Sequence, residues 1–118
     1  MTNTEFKNLL NRMKDRLDSL CENKGLEYSD QMDRLSNFKR AAALEKCQPE
    51  QALLGMDTKQ IVSIYDMVDK LCENFAYPNS VTMEKTGDII VYMILLQALF
   101  EERYERVNND GNKNDRLL

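Results

Sequence analysis

The chain has 118 residues, 42% of them apolar and 31% charged, with a formal charge of −4 and a pI near 4.9. That size fits one domain with a core of its own, and the acidic balance excludes a general binder of long nucleic acid, which would carry a basic footprint. The absence of histidine excludes Ser-His and Cys-His nucleophile pairs and every His-based zinc site.

In chain order, Thr2 and Glu5 stand at capping-box spacing before Phe6, Leu9, Leu10, Met13, Leu17, Leu20 and Cys21, which recur at steps of three and four. The pattern predicts an amphipathic first helix closed by Lys24-Gly25. A shorter second helix is predicted from about Ser29 or Asp30 to Glu45. Met32, Leu35, Phe38 and Ala42 form one side of it, and Asp30, Asp33, Arg34, Asn37 and Ala41 another. Pro49 suits a first helical position and Gly55 a break. The third main helix is therefore expected over 56–75, with Ile61, Ile64, Tyr65, Val68, Leu71, Cys72 and Phe75 as its apolar stripe.

"AYPNS" reads as a turn, with Ser80 capping a last helix over 81–107. From Ile89 to Phe100 only Gln97 interrupts an apolar run, so this helix should lie at the centre of a bundle or face a second subunit. The run is far short of the roughly 20 residues a membrane span requires. The polar start "MTNTEFKNLL" lacks a signal-peptide pattern, and Cys21, Cys47 and Cys72 are odd in number with no CxxC pair. A soluble cytoplasmic protein with reduced thiols is expected. The fold expectation is all-α: a four-helix bundle as one domain over 1–107, a flexible polar tail over 108–118, and assembly into a homodimer or tetramer.

Carboxylates beside the apolar run raise the question of a site. Glu84 and Asp88 are four apart and share a helix face with Tyr92 and Leu95, so the face turns inward as it becomes apolar. Two like charges there are tolerable if protonated, paired with a base, or joined by a metal. Oxygen ligands without His or Cys suit Mg²⁺, Mn²⁺ or Ca²⁺, and Gly87 leaves room for a close neighbour. On the third helix Lys59, Ser63 and Asp66 form a polar line that offers a third carboxylate and an ammonium. Arg34, Lys39 and Arg40 add positive charge, with arginine suited to phosphate. The same residues also read as ordinary solvated faces.

Three segments, "EYSDQMDRLSNFKRAA", "ALLGMDTKQIVSIYDMV" and "EKTGDIIVYMILLQALFEE", resemble in this order the phage and prophage proteins of the nucleotide-modification-associated group. These are similar to the MazG-like all-α nucleoside triphosphate pyrophosphohydrolases. The resemblance covers roughly residues 24 to 103. It implies helices assembled as dimers or tetramers, with carboxylates on two adjacent helices holding Mg²⁺ against a triphosphate. Asp88 matches the last residue of the Glu-x-x-Asp motif, with Lys85 at the place of its Glu and Glu84 one position earlier. Where the family carries Glu-Glu-x-x-Glu, this chain reads "KQIVSIYD", leaving Asp66; Asp30, Asp33 and Asn37 are the substitutes if the second helix folds over the same cleft.

Three functions follow as expectations. One is Mg²⁺-dependent hydrolysis of a (d)NTP to monophosphate and pyrophosphate, with Asp88, Glu84 and Asp66 on the metal and Lys59, Arg34 or Arg40 on phosphate. Another is non-catalytic binding, with Asn37, Asp33, Asp30 and Ser63 also lining a cleft that sequesters a nucleotide or nucleotide signal. The last is a helical module serving assembly or contact with another protein.

Overall fold

The computed structural model describes residues 1–28 and 33–109, with only the backbone of 23–28. Four α-helices pack together: α1 (Asn3–Tyr28), α2 (Ser36–Glu45), α3 (Pro49–Asp69) and α4 (Asn79–Val107). The second helix's expected start at Ser29 or Asp30 lies outside the described residues, as does the expected tail beyond Asn109.

The start of α1 follows its sequence signal. Thr2 N–H donates to Glu5 Oε2 at 2.7 Å and Glu5 N–H to Thr2 Oγ1 at 3.1 Å, a reciprocal capping box. The helix then runs through Gly25 to Tyr28 instead of closing there. A glycine costs a helix only about 1 kcal/mol, which a continuing helix can absorb.

Asp33 precedes α2 rather than lying on it. Its Oδ1 accepts the Leu35 N–H at 2.9 Å, and Lys39 Nζ lies 2.6 Å from Asp33 Oδ2 and 2.5 Å from Glu102 Oε1 on α4. Lys39 thus ties the helix start to α4, and its ammonium holds the Asp33 carboxyl below the usual aspartate range. α2 ends at Lys46, whose left-handed backbone (φ 56°) turns the chain towards α3.

Gln48 and Gln51 form a second capping box, and Pro49 occupies the first turn of α3. This helix passes through Gly55 and stops at Asp69, so neither the expected break nor the expected extension to Phe75 is present. Phe75 instead pairs with Cys72 in an isolated bridge and meets Tyr77 edge-on. Cys72 is exposed in this turn, not on an apolar helix face. At α4 the expected Ser80 cap is also absent. The chain enters after Pro78, whose carbonyl accepts the N–H groups of Val81 and Thr82.

α4 is the shared element, with α1 and α3 against it and α2 on α3. The core joins Leu35 and Phe38 from the α2 region, Leu53 from α3 and Leu99 from α4. α1 approaches α4 at Gly87, where an added Cβ would stand 3.4 Å from both Arg16 Cγ and Leu20 Cδ1. At the other end Arg103 clamps α4 to the start of α3. Its Nε and Nη2 each donate at 2.7 Å to Glu50, and Nη2 also donates at 2.7 Å to Gln48 Oε1.

Not all the predicted stripes are buried. Phe6 and Leu10 of α1 are exposed, as are Ile61, Tyr65, Val68, Leu71 and Phe75. Among the described residues no helix is long and apolar enough to cross a membrane.

Two outcomes are expected. Nothing lies within 4 Å of a Cβ built on Gly55, so Gly55→Ala should stabilise the fold by about 0.5–1 kcal/mol in urea unfolding. Arg103→Ala should cost about 1–2 kcal/mol at neutral pH, the lower part of the range for charged hydrogen bonds because the guanidinium is a third exposed. Arg103 holds the Glu50 carboxyl below the usual range. That contribution is complete above the unfolded glutamate pKa, about 4.3, and is lost as pH falls through the lower folded value. The cost of Arg103→Ala should fade accordingly in unfolding measured below about pH 4.

Candidate functional site

On α4, Asp88, Val91, Tyr92, Leu95 and Ala98 recur at helical spacing on one side. They form one wall of a cavity of about 510 Å³. Opposite stand Arg34 and Asn37 with Phe38 from the α2 region, and Met56 and Gln60 from α3. Leu20 and Cys21 of α1 close the side. The cavity exists because α1 and α3 pack on the same helix while α2 folds back over α3.

The wall is mostly apolar, with polar groups at a few places. Arg34 is anchored, its Nη2 donating to the Cys21 backbone carbonyl, which joins the turn before α2 to α1. Asn37 and Gln60 are partly buried and offer both donors and acceptors. Among the described residues lining the cavity, Asp88 contributes the only carboxylate. Tyr92 lies one turn further along.

Of the residues singled out from sequence, Arg34, Asn37 and Asp88 meet here. Glu84, Asp66, Lys59 and Arg40 are exposed and do not line the cavity, nor does the partly buried Ser63. Asp33 is engaged at the start of α2, and Asp30 lies outside the described residues. The inward turn expected of Asp88, Tyr92 and Leu95 is present, but Glu84, one turn earlier, remains in solvent. Asp66 follows Asp57 by nine residues, half a helical revolution out of phase, and so faces away from the inner side of α3.

Among the described residues no group of three or more Asp, Glu or Cys side chains could hold a metal ion. Asp88, Glu84 and Asp66 therefore do not form the predicted trio, because their helix positions point two of them outwards. Among the described residues, one lining carboxylate does not by itself make a Mg²⁺ or Mn²⁺ site, which needs further oxygen ligands.

Sequence reasoning missed Gln60 and Asp57. Asp57 has no exposed surface, and neither carboxylate oxygen has a hydrogen-bond partner. It lies one turn after the fully buried Leu53 and one turn before Gln60, so it belongs to the inner stripe of α3. The signal was available as a polar residue at apolar spacing: 53, 57, 60, 64. Burial pushes its carboxyl above the usual aspartate range.

No protein-family model matches the chain, and no curated protein or solved structure is significantly similar to it.

The stability consequence of Asp57 has the opposite sign to that of Glu50. A carboxyl with a raised folded pKa costs nothing below the unfolded value of about 3.9 and opposes folding increasingly as pH rises through the folded one. Asp57→Asn should therefore exceed the parent by about 1–3 kcal/mol at pH 7, with the difference closing near pH 4, in paired urea titrations. An equal difference at both pH values would show that the carboxyl ionises alike in the folded and the unfolded chain.

Proposed function

We propose that this chain binds a nucleotide or nucleotide-derived small molecule in the cavity between its four helices and holds it without hydrolysis. The observation that carries this reading is the cavity itself. Its volume of about 510 Å³ lies within the usual range for small-molecule sites, about 300–1,000 Å³, and a few polar groups converge on an apolar wall. The nucleotide class rests on the resemblance of residues 24 to 103 to the MazG-like proteins.

The chemistry of the lining suits such a ligand. Phe38 and Tyr92 offer ring faces and edges to a base. Asn37 and Gln60 can each give and accept hydrogen bonds at a base edge or a sugar hydroxyl, and Asp88 accepts from an N–H or O–H. Arg34 keeps its remaining donors for a phosphate oxygen. Binding without turnover is favoured over Mg²⁺-dependent hydrolysis because Asp88 is the one carboxylate among the described lining residues, whereas water activation by a resident metal needs a fixed ligand set.

Calorimetry with a panel of nucleosides and their mono- and triphosphates, with and without Mg²⁺, tests this directly. At least one should bind and be recovered chemically unchanged. Asp88→Asn and Arg34→Ala should each weaken binding by roughly tenfold, the scale of one charged hydrogen bond, whereas Arg40→Ala should leave it unaltered. Release of pyrophosphate in Mg²⁺ would return the hydrolytic reading, and failure of the whole panel to bind at millimolar concentration would remove the nucleotide.

A further inference from the structure

Arg16 stands on the face of α1 that meets α4. The residue is half-buried, and its Nε is shut off from solvent with no hydrogen-bond partner among the described residues. Burial of the stem is ordinary for arginine, whose charged head normally stays in water. Here burial reaches past the stem to the first nitrogen of the head. A buried donor left unbonded opposes folding, so stem packing does not account for it.

The helix opposite is shaped to this side chain. Gly87 is buried within α4, where glycine weakens a helix relative to alanine. A Cβ there would stand 3.4 Å from Arg16 Cγ and from Leu20 Cδ1, and 3.8 Å from Arg16 Nε. The notch therefore admits the Arg16 stem and sets Nε against α4. It also relates Arg16 to the cavity, because Leu20, in the same notch, lines that cavity, as does Asp88, the residue after Gly87. Arg34, another lining residue, donates through Nη2 to the carbonyl of Cys21, next to Leu20. Two arginines thus stand at the Leu20–Cys21 edge of the cavity, one from α1 and one from the turn before α2. Of the acidic residues closest in sequence, Asp15 and Asp18 on α1 and Glu84 on α4 are exposed, and Asp88 already has an interaction of its own. None of them bonds the Arg16 Nε.

We propose that Arg16 anchors an anion subsite at the seam of α1 and α4, where it takes a phosphate group side-on through Nε and a terminal nitrogen. A planar charged fork selects an anion over a neutral acceptor, and it matches the spacing of phosphate oxygens. A terminal phosphate presents three strong acceptors, enough to meet Arg34 as well. Arg16 is half-exposed, which leaves the anion a way in, and the head turns about its last stem bond to present Nε. The subsite lies at the polar corner of a mostly apolar cavity, so it fits a molecule with a phosphate head on an aromatic or apolar body. It deepens the nucleotide reading above and rests on that reading for the body of the ligand, not for the phosphate.

Calorimetry at constant ionic strength, with deoxynucleosides, their 5′-monophosphates, inorganic phosphate and pyrophosphate, tests it. In the parent a monophosphate should bind at least roughly tenfold more tightly than its nucleoside, the scale of one charged hydrogen bond. Arg16→Met should remove that advantage and leave nucleoside affinity unchanged. Methionine keeps an apolar stem in the notch, so an arginine with a merely structural role predicts no change in either. Arg16→Lys, which keeps the charge but lacks Nε and the fork, should recover only part of the advantage. Should Arg16→Met lose helicity by circular dichroism, Arg16→Lys carries the same comparison. If no nucleoside or nucleotide binds, the nucleotide reading fails by itself and the inorganic anions decide the subsite. Phosphate or pyrophosphate binding that Arg16→Met weakens roughly tenfold then supports it, and no binding of either at millimolar concentration overturns it. A parent without a phosphate advantage also overturns it, as does an advantage that survives Arg16→Met or a loss shared equally by nucleoside and monophosphate.

Discussion

The architecture depends on keeping one face of one helix out of water. α4 is apolar around much of its middle, and no single neighbour can cover such a surface. Burial of apolar area is worth about 25 cal/mol per Å², so the chain gains most by placing α4 where two helices reach it. α1 and α3 both pack on α4, and the α2 region lies over α3 with Leu35 and Phe38 in the core. The cavity is a by-product of that arrangement, since three helices around a fourth leave a gap where their side chains diverge. Gly87 sets how near α1 comes, because the Arg16 and Leu20 stems occupy the space beside its missing side chain.

Polar groups divide into those the fold has paired and those it has not. Arg103 with Glu50, and Lys39 with Asp33 and Glu102, hold helix ends together in geometry that satisfies both partners. Asp57 is the reverse: a carboxyl wholly out of solvent with neither oxygen bonded. Such a group opposes folding at neutral pH, and natural proteins keep few of them. Its place on the inner stripe of α3, between two residues that line the cavity, puts this cost next to the candidate site. Natural proteins tend to accept unfavourable groups at the places where they work.

What the sequence disclosed follows the range of the forces involved. The Thr2–Glu5 box, Pro49 and the apolar stretch of α4 are local signals, and each led to the right element. Gly55 misled, because its propensity cost of about 1 kcal/mol is smaller than the gain from burying Leu53 and Ala52 ahead of it. That error had a second effect: splitting α3 at Gly55 removed Leu53 from the stripe and hid the phase of Asp57 and Gln60. Arg34, Asn37 and Asp88, which line the cavity, were legible because each lies next to an apolar face. Glu84 and Asp66 were not separable from them, since helix spacing gives relative directions and not which direction is inward. The rows at Phe6 and Val68 read as buried because periodicity reports that a face needs covering, and is silent on whether the cover is the same molecule.

The reciprocal cap at Thr2 and Glu5 sits in the exposed first turn of α1. Its hydrogen bonds add nothing to the core, yet they satisfy backbone donors that would otherwise let the first turn fray. A surface already rigid when it meets another molecule loses less conformational freedom on contact. Two side chains of modest size, set in solvent, thereby preserve the helical form of the chain's first turn.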